Sequence, residues 1–135
     1  MNGKIVQVSG SVVDVEFEKR KMPKIKEALT VKVNDKERVM EVLQHTGNHT
    51  VRCIMLSESE GLSRGSEVTS SGSGIKVPVG ECTLGRMFNV LGEPIDGKAP
   101  IDDRNERWNI HRKAPEFEQQ SPAVEILETG IKVID

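Results

Sequence analysis

The segment Gly92-Glu-Pro-Ile-Asp-Gly97-Lys98-Ala99 has the spacing of a phosphate-binding loop, two glycines followed directly by a lysine. In such a loop backbone N–H groups cradle the phosphate, the lysine reaches its oxygens, and a Ser or Thr hydroxyl after the lysine holds magnesium. Ala99 supplies no hydroxyl. Pro94 deletes one N–H from the cradle, and Pro100 obstructs the helix whose N-terminus should face the anion. The residue types therefore predict a turn at 92–99, with no binding of magnesium–ATP.

His45 and His49 stand four apart, the spacing that places two zinc ligands on one helical face. Gly47-Asn48 lies between them and no Cys or Glu cluster completes a tetrahedral set, so they are expected to flank a hairpin turn. His111 sits beside Arg112 and Lys113 and reads as a solvated or interface histidine. Cys53 and Cys82 form neither a C-x-x-C pair nor a disulfide ladder and are expected as buried thiols in a reducing compartment. No Ser or Cys has a general base at a persuasive spacing, and the carboxylates are scattered as on solvated faces. These residues give no catalytic, cofactor-binding or metal site.

Five basic residues fall within Lys19-Arg20-Lys21-Met-Pro-Lys24-Ile-Lys26. Glu16, Glu18 and Glu27 flank them and dilute their field, so a solvated loop is expected. The whole chain of 135 residues has a net charge of −2, which offers no field to steer it onto nucleic acid or an acidic membrane. Aromatic platforms for bases are scarce as well: only Phe17, Phe88, Trp108 and Phe117 are available, and one of them lies before residue 80. The longest apolar run, Cys53 to Leu56, is far shorter than the ~20 residues of a membrane span. The N-terminus has no apolar core with a small-residue cleavage site, so residence in the cytosol is expected.

What positions these residues is a series of short strands. Val13, Val15 and Phe17 alternate with Asp14, Glu16 and Glu18, the period of a strand with one face buried and one wet. Leu29, Val31 and Val33 repeat the pattern, and Asn34-Asp35 supplies a turn. Val39 to Gln44 is apolar on both sides, and Gly47-Asn48 separates it from Val51 to Leu56 as the strongest hairpin signal. After a polar stretch from Ser57 to Gly74, Ile75, Val77 and Val79 alternate again. About six short strands with close turns predict a mainly β chain whose residues 1–80 form a six-stranded small closed β-barrel, because closure removes exposed edges.

From Gly80 the pattern changes: five of the six prolines lie at or after Pro78, and the alternation stops. Leu84, Met87, Phe88 and Leu91 have helical spacing within a candidate helix at 83–90. Ile101 to Pro115 reads as extended chain lying over another element. Ser121-Pro122 opens a second candidate helix carrying Val124, Leu127, Ile131 and Ile134. That apolar pattern runs directly into Asp135, so the natural protein is expected to continue.

Motifs in order along the chain carry a resemblance. Gly3-Lys-Ile-Val-Gln-Val, Val12-Val-Asp-Val-Glu-Phe17, Gln44-His45 with Val51-Arg52, Gly61-Leu with Arg64-Gly65 and Val77-Pro-Val-Gly80 come first. Thr83-Leu-Gly-Arg86, Asn89-Val-Leu-Gly-Glu-Pro-Ile-Asp96, Ile110-His-Arg, Ala114-Pro and Glu125-Ile-Leu-Glu-Thr-Gly-Ile-Lys-Val-Ile-Asp135 follow. From Gly3 to Asp135 the sequence resembles the catalytic beta subunits of rotary (F-type) ATP synthases. The form of Asn89 to Asp96 resembles beta rather than alpha subunits, which usually have Ala-Leu-Gly there and lack the Glu. Thr46, where the family usually has Leu, His49, often Asn, and Ser73-Gly74, commonly Pro-Ile, depart from the pattern.

The resemblance implies that residues 1–80 are an N-terminal crown barrel serving hexamer assembly. It implies that 81–135 are a linker and the incomplete start of an α/β nucleotide-binding domain, truncated before the phosphate loop. The parent protein would make ATP from ADP and phosphate, with Mg-ATP/ADP as its nucleotide, driven by a transmembrane proton or sodium gradient. Its partners would be alpha subunits in an alternating alpha3-beta3 ring and the central stalk subunit, with no nucleic acid and only indirect contact with the membrane. The place would be the cytoplasmic side of a bacterial inner membrane. The family's phosphate loop, general-base glutamate and adenine-contacting aromatics all match positions beyond Asp135, so this span alone is expected to be inactive. A free-standing small-barrel module binding nucleic acid or protein is the alternative.

Overall fold

The computed structural model describes residues 1–18, 22–47, 49–102, 104–121, 123 and 125–134. The basic cluster Lys19-Arg20-Lys21, the turn residue Asn48 and the expected helix residues Pro122 and Val124 lie outside the described residues. Six strands make the barrel: β1 (Asn2–Ser9), β2 (Val12–Phe17), β3 (Ala28–Val33), β4 (Lys36–Gly47), β5 (Thr50–Met55) and β6 (Glu67–Ser70). All neighbours pair antiparallel, in the order β1-β2-β5-β4-β3-β6, and β6 closes on β1. The expected closed six-stranded barrel is present.

Turn chemistry sets the register. Asn34 and Asp35 both adopt positive φ, the combination a two-residue hairpin of the favoured twist requires, and they join β3 to β4. At the other end of β4, Gly47 and His49 have positive φ on either side of the hairpin tip. Register shifts interrupt β1 between Ile5 and Gln7 and β4 after Val42 and after His45. Such bulges bend a strand and increase its twist, which lets so few strands close. Ile5, Val13, Val15, Leu29, Val31, Met40, Val42, Val51, Cys53 and Val68 fill the interior.

Two strands differ from their sequence reading. The sixth barrel strand is Glu67–Ser70, inside the stretch read as polar, and Ile75–Val79 does not enter the barrel. Val68 is the only apolar residue of β6, yet β6 pairs with both β1 and β3 and its Val68 and Ser70 face inward. Lys76–Pro78 instead forms β7, paired antiparallel outside the barrel with β8 (Arg107–Asn109). The alternation of Ile75, Val77 and Val79 reports a strand whose partner comes from the extended 101–115 segment.

Neither candidate helix forms among the described residues. A 3₁₀ turn at Glu81–Thr83 ends at once, and Gly85 follows at φ +65°. The Asn89 side chain then accepts from the backbone N–H groups of Leu91 and Glu93, a local bond that competes with helix. Beyond residue 120, Leu127, Val133 and Ile134 are mostly exposed, so no apolar surface repays the ordering of a helix there.

Candidate functional site

The phosphate-loop look-alike is a loop closed on itself. Arg86 donates from Nε and Nη2 to the two oxygens of Asp96, at 2.6 and 3.1 Å, and Nη2 also reaches the Ala99 carbonyl at 2.8 Å. Asp96 further accepts from the amides of Met87 and Lys98. The guanidinium first, with those amides, holds the Asp96 carboxyl well below the usual carboxylate range against the desolvation that would raise it. The amides of Gly92, Glu93, Ile95 and Lys98 all donate inside the loop. Lys98 Nζ donates to the Gly85 carbonyl at 3.3 Å. The amides of Gly92, Glu93, Ile95 and Lys98 and the Lys98 ammonium thus already have acceptors within the loop. These residues do not fit a nucleotide. Calorimetric titration with magnesium–ATP should give no binding heat, and Lys98→Ala should leave that result unchanged; saturable heat lost in the variant would overturn this geometry.

The histidines are taken up by the fold. His45 Nε2 donates to the Pro23 carbonyl at 2.8 Å, tying β4 to the loop before β3. His49 sits at the hairpin tip, as the Gly47-Asn48 pair between it and His45 predicts, and its carbonyl accepts from Phe17 N–H. Among the described residues no group of three or more His, Cys, Asp or Glu is placed to hold a metal ion. Cys53 is buried and its thiol is pushed up to about 12, by desolvation first and then by the Asp14 carboxylate, which makes it inert. Cys82 is half-buried rather than buried, with Sγ directed at the Val79 carbonyl.

Two carboxylates that sequence reading assigns to wet faces are buried on the outside of the barrel wall. Asp14 lies opposite Arg52 in the β2–β5 register and receives Nε and Nη2 at 2.8 and 2.9 Å. That bidentate pair lowers the Asp14 pKa against its desolvation. Glu41 of β4 is covered by His111, with Nε2 and Oε2 2.8 Å apart. Glu27, also buried, accepts from Ser70 Oγ and from the Lys24 amide. Neither partner is visible locally: Arg52 lies 38 residues from Asp14 and His111 lies 70 from Glu41.

Phe17, the one aromatic residue of the barrel, is buried with its ring over Gly3, and so is no platform for a base. Leu84, Met87, Val90, Ile95 and Phe117 are all more than half exposed, and among the described residues most of the large exposed apolar side chains lie after the barrel. A cleft of about 240 Å³ opens where the two parts meet, between Lys24–Glu27, Gly72–Ile75 and the side of Asn109 and His111.

Fold and site together define a small antiparallel barrel domain followed by a self-liganded loop and a strand pair. Residues 5–72 match the family model of the ATP synthase alpha/beta family, beta-barrel domain. The chain belongs to that family, and the matched span runs from within β1 to just past β6.

Proposed function

We propose that this chain is the N-terminal portion of a catalytic, beta-type subunit of a rotary ATP synthase, and that its barrel serves assembly of an alternating ring with alpha subunits. The observation that carries the reading is the coincidence of the matched span with a barrel that has no open strand edge. Such a body associates through side chains rather than by strand addition, which suits defined neighbours in a ring. The beta assignment rests on Asn89 to Asp96, where the distinguishing Glu93 is built into the fold: Asn89 Nδ2 donates to its carboxylate at 2.7 Å. Residues 81–135 are then the start of the nucleotide-binding domain, and their exposed apolar side chains belong against the rest of that domain. Mg-ATP, the central stalk and the ion gradient, of protons or sodium, are met by the parent protein at the cytoplasmic side of a bacterial inner membrane. The chain by itself hydrolyses nothing.

The test is competition. Alpha and full-length beta subunits reassembled from the separated state should form fewer hexamers when this chain is in excess, as read by analytical ultracentrifugation. Unchanged hexamer yield, with no sedimenting complex between the chain and alpha, would defeat the assembly role.

A further inference from the structure

We propose that His111 and Glu41 form a clasp that fixes the β7–β8 strand pair on the barrel, so that the two move as one body. Glu41 points outward from the middle of β4, paired in register with Ala28 of β3 and Ile54 of β5, where an outward residue ordinarily meets water. It is buried instead, because the chain just after β8 crosses over it. A carboxylate only accepts, so the 2.8 Å contact has His111 Nε2–H as the donor.

Five further hydrogen bonds place this bond at a closing point. The backbone amide of Ile110, next to His111, donates to the Ile75 carbonyl at 3.0 Å, and that of Val79 donates to Glu106 at 3.0 Å, extending the β7–β8 pairing at both ends. In the segment between β6 and β7, Ser71 Oγ and N–H both reach the Ala28 carbonyl, and the Ala28 amide donates to the Ser73 carbonyl. That segment is thus pinned to β3 at one end, and the strand pair that follows it is pinned to β4 through His111. Between the two pins lies the cleft lined by Lys26, Glu27, Gly74 and Asn109. Releasing His111 leaves Glu41 buried without its donor, and the relief open to the molecule is for the strand pair to lift and admit water along that cleft. The clasp needs only contacts within the chain itself, whether or not the barrel serves assembly.

Hydrogen exchange on the intact chain tests it. In His111→Ala the amides of Val79 and Ile110 should exchange about tenfold faster, the factor for losing one charge-assisted hydrogen bond, while those of Val13 and Val51 in the barrel keep their protection. His111→Gln, which restores a donor, should return part of that protection. His111 is on the surface, so both variants are expected to fold; Glu41→Gln, which keeps an acceptor, should fall between wild type and His111→Ala. Unchanged exchange at Val79 and Ile110 in His111→Ala overturns the clasp. So does equal acceleration throughout the barrel, since the bond would then stabilise the barrel itself rather than its junction.

Discussion

Leu29→Ala should lower the unfolding free energy of the barrel by about 3 kcal/mol, within the 2–5 kcal/mol typical of emptying a buried leucine site. Leu29 is fully buried in β3, opposite Met40 of β4 on one side and Ser70 of β6 on the other. It therefore sits where the weakest strand joins the ring. β6 is only four residues long and contributes a single apolar side chain, Val68, so its attachment depends on what β3 presents to it. A closed wall cannot collapse into a void as freely as a loop can, because each strand is held by hydrogen bonds on both edges, and most of the cavity cost remains. Stability of roughly 0.05–0.15 kcal/mol per residue leaves a domain this small little reserve. Each lost kcal/mol shifts the melting temperature by about 4–8 °C at this size. Urea denaturation followed by far-ultraviolet circular dichroism is the measurement, since the single tryptophan, Trp108, lies in β8 outside the barrel. Leu43→Ala is the control: that side chain is 46% exposed on the same hairpin wall and should cost no more than about 0.5 kcal/mol. Equal midpoints for the two variants would show that the interior is not the packed core described here.

The dependence on β6 also marks the limit of what the sequence makes legible. The alternation at Val13–Phe17, Leu29–Val33 and Val51–Met55 reports strands directly, because each of these strands buries three side chains on its inner face. Glu67-Val-Thr-Ser70 buries one apolar side chain and a serine, and its strand character comes from neighbours in β1 and β3 that are distant in sequence. In Val39 to Gln44, apolar on both sides in the sequence, only Met40 and Val42 face the core; Val39 is half-buried and Leu43 exposed, while Glu41 is covered from outside by His111. Asp14 and Glu41 look like solvated-face carboxylates in any local window, and only the folded chain supplies the guanidinium and imidazole that make them structural. At 83–90 the helical spacing is genuine but outweighed: Gly85 at positive φ, the Asn89 side-chain bonds and the Arg86–Asp96 pair each favour the loop. The departures from a phosphate-loop motif are legible in Pro94, Ala99 and Pro100. That Asp96 of the loop is held by a guanidinium is not, because it depends on Arg86, ten residues earlier.

Gly92→Ala should open this loop, and it separates the structural from the phosphate-binding account of its glycines. In a phosphate loop a glycine allows the ligand to approach the backbone. Here Gly92 is buried at φ +76°, and an added Cβ would stand 2.6 Å from Pro78 Cδ, 3.1 Å from Val77 Cα and 3.2 Å from Val77 Cβ. Pro78 is a closed ring and Val77 is paired with Trp108 in the β7–β8 ladder, so neither can turn aside without moving the strand. The variant combines the left-handed backbone cost of about 1–2 kcal/mol with that clash, for a total of at least about 3 kcal/mol. Gly97 provides the comparison within the same loop. It has φ +72°, but an added methyl there would meet nothing within 4 Å, so Gly97→Ala should carry the backbone cost alone, about 1–2 kcal/mol. The readout is exchange of the Ile95 amide, which donates to Met87 across the loop, and of the Val79 amide, which reports β7. Gly92→Ala should expose both, whereas Gly97→Ala should accelerate Ile95 modestly and leave Val79 protected. If the two variants behaved alike, contact with β7 would play no part at Gly92 and the loop would be held by its internal bonds alone.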